Sequence, residues 1–133
     1  MKKINTASVV STDTHYLHHI HVGHFDLDTD EHKVLGGQGA GPAPFDYYLA
    51  SLAACTAITL RMYAERKGWN LGEFRAELAL SFDDDGKVHV HRTLHSDQLL
   101  TDEQWTRLLE IVANTPVTKA MREGAVITSE RGS

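Results

Sequence analysis

The chain has 133 residues, 13 Lys plus Arg against 18 Asp plus Glu, and one cysteine. That length suits a single domain with a real hydrophobic core, and the 41% apolar fraction fits a folded soluble protein rather than a disordered one. One cysteine excludes an internal disulfide scaffold, an all-cysteine zinc site and any redox cycle closed by a second thiol of the same chain, and the formal charge of −5 leaves no basic footprint for nucleic acid or an anionic membrane.

The opening stretch, MKKINTASVV, carries two lysines but no long apolar run or small-residue cleavage site behind them. The most apolar run, Tyr47 to Leu60, is too short to span a bilayer and is interrupted by Ser51, Thr56 and Thr59. A cytoplasmic protein whose thiol stays free is the simplest expectation, with no membrane or nucleic-acid partner.

Ile4 to Val10 reads as a strand, Ser11 to Thr14 as a turn, Tyr16 to Val22 as a second, alternating strand, and Phe25 to Leu27 as a short third one. The glycine-rich stretch Gly36 to Pro44 resembles a linker. It lacks the Gly-Lys-Ser/Thr ending of a phosphate-binding loop, so its glycines are assigned to a tight turn. Pro44 to Lys67 then has no internal Gly or Pro after its first residue and predicts a long helix, with Gly68 as its stop. Its first four turns are apolar on nearly every face, which a chain this small covers poorly by itself, and a homodimer is expected.

Phe74 to Phe82 and Lys87 to His95 flank the turn at 83–86 as a hairpin. Thr101 and Gln104 form a capping box opening an amphipathic helix with Trp105, Leu108, Leu109 and Val112 on its buried side. Thr115-Pro116 begins another helix, Gly124 ends it, and Ala125 to Ser129 is expected to return as a last strand. This order of strands, long helix, hairpin, helices and strand defines an α+β domain covering residues 1–133.

Two constellations could carry chemistry. Cys55 sits mid-helix, either as a small buried hydrophobe or as a nucleophile; a thiol at its reference pKa of about 8.5 is only slightly ionised at neutral pH, so reactivity needs help from other segments. The histidines cluster on two strand segments, with His19 and His21 on one face of the first and His89, His91 and His95 on one face of the hairpin. Pairs at i and i+2 can chelate a transition metal. The hairpin trio instead shares its face with Lys87 and opposes Val88, Val90 and Leu94, the pattern of solvated histidines. No metal ligand is named and no cofactor is expected.

The run Gly41-Pro42-Ala43-Pro44-Phe45-Asp46-Tyr47-Tyr48-Leu49-Ala50-Ser51-Leu52-Ala53-Ala54-Cys55-Thr56, continued by Thr59 to Ala64 and Lys67-Gly68-Trp69, resembles the OsmC/Ohr family, and its small OsmC-like redox-protein branch in particular. The resemblance covers nearly the whole chain. It implies an intertwined homodimer with active sites at the interface, and reduction of organic hydroperoxides by the helix cysteine. It further implies a second cysteine before a proline that closes a disulfide, and an arginine from the N-terminal region and an acid near the helix start that hold the thiolate. Carried onto this chain, Cys55 takes the attacking position and Asp46 that of the acid, where the branch usually has Glu.

Thr115, however, stands where the resolving cysteine belongs, and no arginine precedes Arg61. A threonine caps a helix but forms no disulfide, so the two-cysteine cycle is ruled out. What remains is a one-cysteine thiol peroxidase acting in oxidative stress defence. Cys55 and Asp46 would be its catalytic residues, an external thiol its reductant, and His15, His19 or Lys33 its activating cation. The alternative is a non-peroxidatic member that binds a small apolar ligand at the dimer interface, against Tyr47, Tyr48, Met62 and Tyr63, with Cys55 structural.

Overall fold

A computed structural model describes residues 1–132. The element order is β1 (Ala7–Ser11), β2 (His18–Val22), β3 (Phe25–Thr29), a 3-10 turn (Lys33–Leu35), α1 (Pro44–Lys67), β4 (Phe74–Phe82), β5 (Val88–Ser96), α2 (Asp102–Val112) and α3 (Pro116–Glu123). This is an α+β chain with two antiparallel sheets, β1-β2-β3 and β4-β5. It packs as two compact units, Met1–Tyr48 and a second beginning at Leu49.

In the first unit, the register pairs His19 with Asp28 and His21 with Asp26 across β2 and β3. Alternation puts all four on the exposed face, where His19 Nδ1 lies 2.6 Å and His21 Nδ1 2.8 Å from the facing carboxylates. The glycine-rich loop folds around Asp30, a buried carboxylate that accepts N–H groups from Glu31, Gln38 and Ala40 at 2.7, 3.2 and 3.1 Å. The Ala40 N–H is the largest influence on this carboxyl; with those of Glu31 and Gln38 and the charge of His15 it outweighs the cost of burial, so Asp30 ionises below its ordinary value. Gly37 is required here by close approach, since a Cβ would fall 2.0 Å from the Glu31 carbonyl oxygen. The Tyr47 hydroxyl donates to the Asp28 carbonyl, fixing the start of α1 to β3.

In the second unit, α1 buries a single ridge at four-residue spacing, Leu52, Thr56, Leu60 and Ala64. Leu60 and Ala64 join Leu71, Leu108 and Val112 in the core, with Trp69, Trp105 and Leu94 packed around them. Gly68 ends α1 in the left-handed region at φ +70°, and the Trp69 N–H reaches back 2.8 Å to the Ala64 carbonyl. The other side of α1 leaves Ile58 and Met62 60% and 50% exposed in the single chain. No helix among the described residues is long and apolar enough to cross a membrane.

Two expectations need correcting. Leu109 is exposed, because it sits about 100° round the helix from Leu108, and Ile111 packs against the core in its place. Ala125 to Ser129 carries no regular secondary structure, and Val126 and Ile127 are exposed. β-propensity alone makes no strand; a ladder partner is needed, and among the described residues no strand pairs with this segment.

Candidate active site

Cys55 lies one residue before Thr56 of the buried α1 ridge and is half-buried. Mid-helix, its own backbone offers the sulfur nothing, because the local N–H groups are spent on the helix ladder. Help comes from α3. Thr115 is the N-cap of that helix and is itself buried, and Pro116 occupies the first turn without needing a donor. The Val117 N–H is one of the first-turn donors that a helix cannot use internally, and it favours the ionised form of the Cys55 sulfur. The Thr115 hydroxyl also acts on the sulfur, and Thr59 Oγ1, one turn further along α1, lies 3.8 Å from it.

Within the second unit, Arg92 brings a positive charge to bear on Cys55. It occurs on the inward face of β5, in the alternating series Val88, Val90, Arg92, Leu94. Its Nη1 donates to Thr56 Oγ1 at 2.9 Å and Thr118 Oγ1 at 3.0 Å, and its Nη2 to the Val112 carbonyl at 2.8 Å. One guanidinium therefore ties together α1, the first turn of α3 and the C-terminal end of α2, where a positive charge also suits the helix dipole. Among the described residues no carboxylate pairs with it. Burial lowers the pKa of Arg92, and the charge of Cys55 offsets that only in part.

The balance at the sulfur has a clear direction. Burial pushes the Cys55 thiol up, but the Val117 N–H, the hydroxyls of Thr115 and Thr59 and the charge of Arg92 outweigh it, and the thiol ionises below its ordinary value. The threonine relay adds a switchable donor. When Thr118 gives its proton to the Val112 carbonyl, 3.1 Å away, the Thr115 proton can go either to Thr118 Oγ1 at 2.6 Å or to the sulfur. A thiolate, an acceptor only, draws it to the sulfur.

Asp46 is engaged locally. Its Oδ2 accepts the Ala43 N–H at 2.9 Å, closing the start of α1, and lies 3.9 Å from His32 Nε2. The hairpin histidines face outward as expected, His89 pairing with Asp83 at 2.8 Å. No group of three or more His, Cys, Asp or Glu among the described residues is arranged to hold a metal ion.

Sequence reasoning missed Arg92, although a signal was present: a charged residue at an apolar position of an alternating strand needs a buried partner.

A family profile described as OsmC-like protein matches residues 37–130. The chain belongs to the OsmC-like family. Solved structures agree on the fold. An osmotic stress induced and detoxification response protein from Psychrobacter arcticus is 20% identical, with 90% of each chain covered and a TM-score of 0.78. An organic hydroperoxide resistance protein OsmC from Legionella pneumophila is 20% identical, with 90% of each chain covered and a TM-score of 0.66. An organic hydroperoxide resistance protein from Vibrio cholerae, with captopril in one of its active sites, is 21% identical over 92% of this chain and 88% of its own, at a TM-score of 0.64. No curated protein matches the chain.

Proposed function

We propose that the protein is a one-cysteine, thiol-dependent peroxidase that reduces organic hydroperoxides. The observation that carries this reading is that the open N-terminus of α3 and the charge of Arg92, which has no carboxylate partner among the described residues, both act on the Cys55 thiol. Each favours the thiolate near neutral pH, which is the form a nucleophile needs. The relatives described as hydroperoxide resistance proteins support the same chemistry.

In the first step the Cys55 thiolate attacks the outer oxygen of the hydroperoxide. An S–O bond forms, the O–O bond breaks, cysteine becomes sulfenic acid, and the alkoxide leaves and takes a proton as alcohol. The Thr115 hydroxyl and Val117 N–H hold the sulfur before attack. Thr115 cannot resolve the sulfenic acid, so an external thiol condenses with it, releasing water, and a second thiol frees Cys55. Asp46, at the start of the same helix, is proposed as the orienting acid. A homodimer is proposed because the single chain leaves Ile58, Met62, Val126 and Ile127 in water. A reducing, cytoplasmic setting suits a lone free thiol.

The test is trapping. Cumene hydroperoxide is expected to give a dimedone adduct on Cys55 that disappears in Cys55→Ser. If Cys55 ionises no lower than free cysteine and reacts with peroxide no faster, the peroxidase reading falls and the ligand-binding one takes its place.

A further inference from the structure

We propose that the cleft beside Cys55 receives the external reductant, and that this reductant is a small thiol bearing carboxylates. This rests on Cys55 being the attacking thiol. The cleft holds about 570 Å³, and its wall includes Thr59 and Thr115, the two threonines that act on the Cys55 sulfur. Thr59 Oγ1 in that wall lies 3.8 Å from the Cys55 sulfur. The same wall carries Arg66 and Arg107.

The two arginines differ in what they have left to give. Arg107 donates its Nε to the Tyr63 hydroxyl at 3.0 Å and its Nη1 to Glu110 at 2.9 Å, so it is held in place with donors remaining. Arg66 has no hydrogen-bond or ion-pair partner among the described residues. Against the single acid Glu110, the cleft keeps a net positive charge. An alkyl hydroperoxide has no use for that charge. A carboxylate does, because guanidinium recognises it with paired hydrogen bonds. The volume is in the range of a small-ligand site.

The reaction balances without any further component. Cys55 sulfenic acid and the first thiol form a mixed disulfide and water. The second thiol attacks that disulfide, giving reduced Cys55 and the symmetrical disulfide. Overall, one hydroperoxide and two thiols give one alcohol, one water and one disulfide.

The experiment needs no peroxide. Reduced protein is mixed with oxidised glutathione, which carries carboxylates, or with uncharged 2-hydroxyethyl disulfide, and the mixed disulfide on Cys55 is followed by intact mass. The ratio of the two rates is expected to favour glutathione at low salt and to shrink as salt is added. In Arg66→Ser the ratio falls by about three-fold, the size of an exposed charge pair. Arg66 is exposed and unpaired, so this variant keeps the fold; Arg107→Ser, which also loses the Tyr63 and Glu110 contacts, should lower the ratio as well. A wild-type ratio that ignores salt, or an Arg66→Ser ratio equal to wild type, overturns the proposal. Dimedone trapping on wild type is run in parallel. Its failure alone removes the peroxidase reading, whereas a flat ratio with successful trapping removes only the cleft's preference for anionic thiols.

Discussion

Arg92→Met tests the core of the argument, because methionine keeps much of the apolar stem while removing the charge and all donors. Three hydrogen bonds are lost, to Thr56, Thr118 and the Val112 carbonyl. At about 1 kcal/mol net each, the gross loss is about 3 kcal/mol. No acceptor is orphaned, however. The Thr56 hydroxyl keeps its bond to the Leu52 carbonyl, and Thr118 and the Val112 carbonyl keep each other. With about 1 kcal/mol returned by burying the thioether side chain, the expected cost is about 2 kcal/mol, or roughly 8 °C in Tm for a chain of this size. The diagnostic result is at the sulfur. With its cation gone, the Cys55 thiol ionises at higher pH, and the pH profile of its alkylation by iodoacetamide moves upward. Arg92→Lys should bring the profile back towards wild type without restoring full stability, since an ammonium supplies the charge but not the planar fork. An Arg92→Met profile that coincides with wild type in a folded protein would falsify the electrostatic argument.

Other predictions test separate parts of the structure. Thr115→Cys places a thiol where the hydroxyl now acts on Cys55, and after peroxide treatment a Cys55-linked intramolecular disulfide should be found by peptide mapping. Thr115→Ala removes the α3 cap and should cost about 1–2 kcal/mol in urea unfolding while raising the pH at which Cys55 alkylates. Asp30 ionises below the ordinary value of 3.8, so its contribution is complete above that value and is lost as pH falls through its folded one; acid unfolding of Asp30→Asn should show a weaker pH dependence in that window. Gly37→Ala forces a Cβ to 2.0 Å from the Glu31 carbonyl oxygen and should destabilise the Asp30 loop by about 2 kcal/mol or more, read as a drop in Tm.

Much of this protein was legible before any fold was known, because many of its signals are local. The limits of α1 follow from Pro44 and Gly68, the α2 capping box from Thr101 and Gln104, and the α3 cap from Thr115 before Pro116; each acts over one helical turn and depends on no distant partner. The lone Cys55, the family resemblance and the absence of a second thiol at Thr115 were equally plain, since they are matters of residue identity and spacing.

What tertiary structure decided was partnership. Arg92 lies 36 positions from Thr56, and only the packing of β5 against α1 and the ends of α2 and α3 brings its charge to bear on Cys55. Ala125 to Ser129 has the side chains of a strand but finds no edge to pair with among the described residues, so it is not one. A helix closes its hydrogen bonds within itself, whereas strands and buried charges are completed by residues far away in the chain, and no local pattern names them. The single cysteine could therefore be found by reading; its activation could be found only by folding.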